Sequence, residues 1–322
     1  MEALRRPLFW GTIVVMACAA ALPLVTGSAS LREDLFLIYF YIVMAASLNL
    51  VLGYAGYVNF GHVVFFGVGG YIGFFLVAAM GVHLLVASAV AGLVTALFAF
   101  LLGSAVLHLR GAYFAIATIG VNEAMHALVG NLGLLGGSSG MLLNFSAYQV
   151  YGGPEGAVRL AYLLMATLAT AAVAVGFLVK RSKFGLALLA VRENEDAALT
   201  LGVNAQQVKR LAYTLSAVLP AMAGPAFFFK NGNVVPDTAF SLTTSIESIV
   251  IVMLGGFGVP LGPPVGAVIY ERLRGTLLTS ALFHDLHVVV AGALLLVIVL
   301  FATRGLLGLL GERSATLRKA LQ

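Results

Sequence analysis

Apolar runs of about 20 residues recur from one end of this chain to the other, and no other feature limits the fold so severely. A helix of that length rises about 30 Å at 1.5 Å per residue, the thickness of a bilayer's hydrocarbon core. Candidate spans fall near 8–28, 35–53, 61–81, 84–107, 112–130, 158–179, 207–229, 245–258, 262–280 and 287–303, the eighth of them short. Composition agrees: 61% of the 322 residues are hydrophobic, only 10% are charged, and the mean hydropathy is +1.03. A soluble domain carries about 25% charged residues. The 37 glycines suit close helix packing in lipid and by themselves say little about function. No linker cuts the chain, so the expectation is one domain over 1–322: an all-α polytopic membrane protein of about ten transmembrane helices, range eight to eleven.

The first run follows Arg5 and Arg6 and ends before "SAS", but it is longer than a signal-peptide core, so it reads as an uncleaved span. Cys18 is the sole cysteine, which excludes an intrachain disulfide. The net charge of +5 is not arranged as a basic stripe interleaved with aromatics, which argues against nucleic acid. Its bias along the chain follows the positive-inside rule. With the N-terminus in the cytoplasm, Arg5, Arg6, Arg110, Lys180, Arg181, Lys183, Arg192, Lys209, Arg210, Arg304, Arg313, Arg318 and Lys319 lie inside. Arg32, Arg159 and Lys230 lie outside, and ten spans return the C-terminus to the cytoplasm. The longest external loop, 131–157, is rich in Gly, Ser and Asn and reads as irregular backbone.

The largest internal loop, 180–210, gathers Arg192, Glu193, Glu195 and Asp196 within five positions. Asn194 is a good N-cap, Glu195 and Asp196 complement the helix dipole in the first turn, and Gly202 is placed to end the helix. The spacing predicts about two helical turns from Glu195 to Leu201. Asn204 with Gln207 resembles the capping box of the next span. So short a helix is marginal alone in water, and Ala197 and Ala198 give it a face for close approach. Two readings are open: a capped helix resting on the bilayer surface, or a docking helix for a cytoplasmic partner.

Two further segments combine Gly, Asn and aromatics at membrane depth, "GYAGYVNFGH" (53–62) and "GGFGVPLGPPVG" (255–266). Neither contains the GK[ST] of a phosphate loop, so the energy source is a gradient or a partner. Asn49, Gly53, Gly56, Asn59, Gly61, His62, Gly255, Gly256 and Gly258 are candidates to border a translocation path; the alternative is tight helix turns at the cytoplasmic face. Glu123, Glu247, Glu271, Arg272 and Arg274 fall inside predicted spans, where each charge needs a partner or a cavity. Glu271 and Arg274 can pair at i, i+3. Glu123, beside Asn122, has no local partner and joins the path candidates. Pro220 and Pro225 are expected to kink the seventh span. His284 and His287 flank Asp285 in a short external turn but make a weak metal site, and no nucleophile, base and orienting group come together by spacing; neither a metal nor an enzyme is expected.

"ENEDAALTLGV" resembles the cytoplasmic loop of ABC-importer permeases, whose coupling helix seats in an ATPase subunit. "SLNLVLGYAGYVNFGHVVFFGVGGY" (47–71), "RSKFGLALLAVRENEDAALTLGV" (181–203) and "SIESIVIVMLGGFGVPLGPPVGA" (245–267) are similar to the LivM type of branched-chain amino acid permease. The resemblance implies the ABC-importer permease fold. It also implies a second permease of similar fold, two cytoplasmic ATPase subunits that bind ATP and Mg, and an extracytoplasmic solute-binding protein. This chain itself would hold no cofactor and would lie in a bacterial or archaeal inner membrane with both termini cytoplasmic. Arg192 to Ala198 and Gly202 would form the coupling helix. Two departures stand out: Tyr57, where the family often has a polar residue such as Gln, and the Pro-rich turn at Pro260, Pro263 and Pro264. The rival readings are an ABC permease for urea, short amides or sugar, and a gradient-driven transporter or channel with Glu123 as its ion site.

Overall fold

Helix α2 (Ala29–Ala55) is apolar on every side and, from Phe36 to its end, almost wholly buried. A helix hydrophobic all round belongs in the centre of a bundle, and α2 packs against α1 (Pro7–Thr26), α6 (Pro154–Lys180), α9 (Ala205–Asn231), α11 (Leu242–Gly255) and α12 (Gly262–Thr279). It starts at Ser28, whose Oγ accepts the Leu31 N–H at 3.2 Å, and stops at Gly56 with φ 78°. The computed structural model describes residues 7–279 together with 289, 306 and 307.

Helices α3 (Val63–Met80), α4 (Leu84–Val106) and α9 form a second packed group, with α5 (Ala112–Asn131) on its flank. Small residues set its spacing. A Cβ on Gly224 of α9 would lie 2.5 Å from the Phe66 carbonyl oxygen and 2.6 Å from the Gly70 nitrogen, so the two backbones touch there. Leu93, Leu97 and Leu101 point away from the bundle on the exposed side of α4, as lipid contact requires.

Eight helices among the described residues are long and apolar enough to cross a membrane. They match the first eight expected spans, and α12 occupies the ninth as a more polar helix. The tenth span and the His284, Asp285 and His287 turn lie outside the described residues. Helix α9 continues through Pro220 and Pro225, and the Pro225 ring is accommodated where Gly73 has no Cβ. The eighth span is in two parts: α10 (Pro236–Ala239), then a break at 240–241, then α11. The long loop is less irregular than its composition suggested. It contains a 3-10 helix (Phe145–Tyr151), and its β1 (Met141–Leu142) pairs antiparallel with β2 (Asn233–Val234). The Tyr148 hydroxyl donates to the Phe229 carbonyl at 2.7 Å, anchoring that loop to α9.

The close approach of α3 and α9 has a direct test. Gly224→Val must push two backbones apart, a type of overpacking that costs about 1–3 kcal/mol, whereas a Cβ at Gly120 meets nothing within 4 Å. Size-exclusion profiles after stepwise heating in detergent should show earlier loss of monodisperse protein for Gly224→Val and none for Gly120→Ala.

Candidate functional site

The charged loop folds as α7 (Lys183–Glu193) and α8 (Glu195–Thr200). Asn194 Oδ1 accepts the Ala197 N–H at 3.0 Å, and Asn204 Oδ1 accepts the Gln207 N–H at 3.1 Å, so both expected caps are formed. Gly202, with φ 83°, ends α8 in a Schellman motif: Val203 N donates to Ala198 O and Gly202 N to Leu199 O, each at 3.0 Å.

Glu195 is turned inward. Its carboxylate accepts from Lys209 Nζ at 2.7 Å and from the Tyr57 hydroxyl at 3.1 Å, and Arg110 Nε lies 3.3 Å away. Lys209 is only 2% exposed, and its ammonium also donates to the Tyr57 oxygen at 2.9 Å and the Leu107 carbonyl at 3.0 Å. The carboxylate therefore ties α8 to α9, to the start of α5 and to the segment after α2, and Lys209 extends the tie to the end of α4. A buried ion pair is tolerable when further hydrogen bonds satisfy both ions, and these are satisfied. Asp196 is exposed and meets Arg110 Nη2 at 3.2 Å; this contact, then Glu195, holds the Arg110 guanidinium in its charged form.

Ala198 also faces inward, against Val191 and Ala205. The outward face of α8 and its C-cap carries Asp196, Ala197, Thr200, Leu199 at 51% exposure and Leu201 at 80%, the two leucines being large apolar side chains on a polar loop. Spacing marked Asp196 and the alanines but missed the leucines, which the inward turn of Ala198 brings to the surface.

Arg192 joins this loop to both glycine-rich turns. Its guanidinium donates to the Gly53 carbonyl at 2.8 Å, a cation at the C-terminal end of α2, pairs with exposed Glu193 at 2.9 Å, and stands 5.1 Å over the Phe257 ring. Asn49 holds the second turn: its Nδ2 donates to the Val259 carbonyl at 3.2 Å and its Oδ1 accepts the Gly258 N–H at 3.0 Å. A Cβ on Gly53 would fall 2.7 Å from that Gly258 nitrogen. Gly53, Gly56, Gly255, Gly256 and Gly258 thus shape contacts between helix ends on the α7–α8 side. A cavity of about 920 Å³ opens there, bordered by Gly56, Tyr57, Arg110, Arg192, Glu195 and Phe257 among others.

Asn59, Gly61 and His62 lie deeper. Val63 N donates to Ser245 Oγ at 2.9 Å, and Ser245 precedes the end of α11 by ten residues, about 15 Å of helix. The non-helical stretch 56–62 therefore runs back into the interior before α3 begins. Its backbone is satisfied by side chains: Phe60 N donates to Thr118 Oγ1 at 3.2 Å and Gly61 N to Asn59 Oδ1 at 3.0 Å. The break before α11 is served in the same way, with Asn122 Nδ2 donating to the Phe240 carbonyl at 2.8 Å from mid-length on α5. Asn59 and His62 are fully buried, whereas Glu123 stands on the exposed face of α5 beside Asn122.

Among the charges in the ninth span, Arg274 Nη1 donates to Glu271 at 3.3 Å, the i, i+3 pair expected from spacing. Glu247, 5% exposed, has the partner its position demands, but from residues that spacing did not indicate: it accepts from the hydroxyls of Tyr41 at 2.7 Å and Tyr270 at 2.8 Å, with Arg274 Nε at 4.0 Å.

Removing one member of a buried pair costs about 3 kcal/mol or more. Lys209→Met should therefore lower the unfolding temperature in nanodiscs markedly. Adding Glu195→Gln should recover at least half of that loss. A double-mutant cycle with additive effects would show that the two groups do not act together.

A family model described as the permease component of the branched-chain amino acid transport system matches residues 33–299. The high-affinity branched-chain amino acid transport system permease protein LivM of Salmonella typhimurium is 29% identical over 94% of this chain and 75% of its own length. The corresponding LivH protein of Escherichia coli is 26% identical over 83% of this chain and 91% of its own. The autoinducer 2 import system permease protein LsrC of Klebsiella pneumoniae is 30% identical over 58% of each. No solved structure matches. The chain belongs to the family of branched-chain amino acid transport permease components, as a multi-pass transmembrane subunit of an ABC importer.

Proposed function

We propose that this chain carries branched-chain or related amino acids across the cytoplasmic membrane of a bacterium or archaeon, powered by ATP hydrolysis in separate subunits. The observation that carries the reading is the two-sided construction of α8. Its outer face offers Asp196, Leu199 and, at its C-cap, Leu201, while its inner face is fastened through Glu195 and Lys209 to four other elements. A helix that only rested on a lipid surface would need no such fastening. A helix that receives a push from a partner does.

In this reading the α7–α8 side faces the cytoplasm, because Arg110, Lys180, Arg181, Lys183, Arg192, Lys209 and Arg210 gather there. Both termini are then cytoplasmic. Two ATPase subunits, which hold the ATP and Mg, press on α8 of this chain and of a second permease, and a solute-binding protein delivers substrate on the far side. No cofactor or catalytic step is assigned to this chain. Movement of α8 reaches α9 through Lys209 and α5 through Arg110, while Arg192 carries it to the end of α2 and the 256–261 turn. The deep segments 56–62 and 240–241 then change position relative to α5 and open or close the path that Asn59, Gly61 and His62 border. Glu123, on the outer face of α5, belongs to the same path where two permeases meet.

Proteoliposomes with all partners present decide between docking and rest. Asp196→Arg and Gly202→Leu should each cut leucine uptake at least tenfold while the chain remains inserted and the partners still hydrolyse ATP. Uptake equal to wild type in both variants overturns the docking assignment. Glu195 is a poorer probe, since reversing it also breaks the contacts with Lys209 and Tyr57. Uptake by the intact assembly should require ATP on the α8 side and persist with ion gradients collapsed; uptake driven by a gradient without ATP overturns the energy source.

A further inference from the structure

A cavity of about 360 Å³ lies between α2, α3, α9 and the α10–α11 break, on the side opposite α8. That volume is in the range of small-molecule pockets. One wall is aromatic, formed by Phe40, Phe66 and Phe227, whose rings contact one another at centroid distances of 5.0–5.5 Å. Glu247, Arg274 of α12 and the hydroxyls of Thr238, Ser241, Thr243 and Thr244 also line it.

The charges are preorganised but not saturated. Tyr41 and Tyr270 each use one lone pair of the Glu247 carboxylate, which has about four, and lock its orientation. Arg274 spends Nη1 on Glu271, while its Nε has no hydrogen-bond partner, and neither does Glu271 Oε2. Two carboxylates share one guanidinium, so Glu247 keeps acceptor capacity for an ammonium while Arg274 keeps an unpaired donor. A buried acid and base some 4 Å apart beside an apolar wall offer a partner to each charge of a zwitterion and a surface to its apolar body.

We infer that this cavity binds a zwitterionic α-amino acid with an apolar side chain, the ammonium on Glu247, the carboxylate on Arg274, and the side chain against Phe40, Phe66 and Phe227. The choice of ligand class rests on the transport reading above; the site itself rests on the cavity and its charges.

The test uses the full-length chain purified with its partner subunits in lipid nanodiscs, without the solute-binding protein. Leucine, leucinamide and 4-methylpentanoate compete against radiolabelled leucine. Leucine should compete at least tenfold better than either single-charge analogue. Glu247→Gln should erase the advantage over 4-methylpentanoate, and Arg274→Gln the advantage over leucinamide. Thr244→Leu fills the cavity and leaves both charges in place; it should lower leucine binding at least tenfold, and it decides the matter if a charge variant fails to assemble. Equal competition by all three compounds, or unaltered binding in Thr244→Leu, overturns the site. Normal leucine uptake with no such discrimination would remove the site and keep the transport reading; discrimination without any ATP-driven leucine uptake would keep the site and remove that reading.

Discussion

A peptide group left without a partner in hydrocarbon costs several kcal/mol, and the interior of this protein is organised around two places where the helix is interrupted in spite of that. At 56–62 and at 240–241 the helical ladder is broken and some backbone groups lose their helical partners. Asn59, Thr118, Asn122 and Ser245 supply what is missing. Two of these four side chains come from α5, otherwise among the least buried of the spans. Hydrogen bonds therefore hold α5 to the bundle at the points where the chain is irregular, and its outer face stays open.

The second organising element is electrostatic and sits at the C-terminal end of α2. Exposed ion pairs add little to stability, but Glu195 and Lys209 are withdrawn from water and joined by a phenol and a carbonyl. Arg192 does comparable work by capping the carbonyl end of α2 where the helix dipole is negative. The loop segment thus behaves as part of the bundle. Its charges, anomalous in so apolar a chain, divide into an inward set that fastens and an outward set that is displayed.

Much of this was legible in the residues. Run length and charge bias give the spans, and capping rules give α8 nearly to the residue, because those signals are local. The i, i+3 pairing of Glu271 with Arg274 is local as well. What escaped is set by contacts far apart in sequence: Lys209 reaching Tyr57 across 152 positions, Asn122 reaching Phe240 across 118, and Tyr41 reaching Glu247 across 206. Ala198 looked like a docking face because a small residue on a short helix suits either side, and only the packing of Val191 and Ala205 decides which. The broken eighth span could be read as short, but not as divided, since no proline lies at the break itself.

Tyr57 departs from the pattern of similar permeases. Its hydroxyl touches both Glu195 and Lys209, so its length is part of the fastening. A shorter amide at that position would not span the same gap, and the lysine would keep a buried charge with one partner fewer. Tyr57 and the Glu195–Lys209 pair, far apart in the chain, therefore form a single physical unit. A lineage can exchange this lock for another only by altering its members together, which makes hybrids built across residues 57–209 prone to inherit half of each.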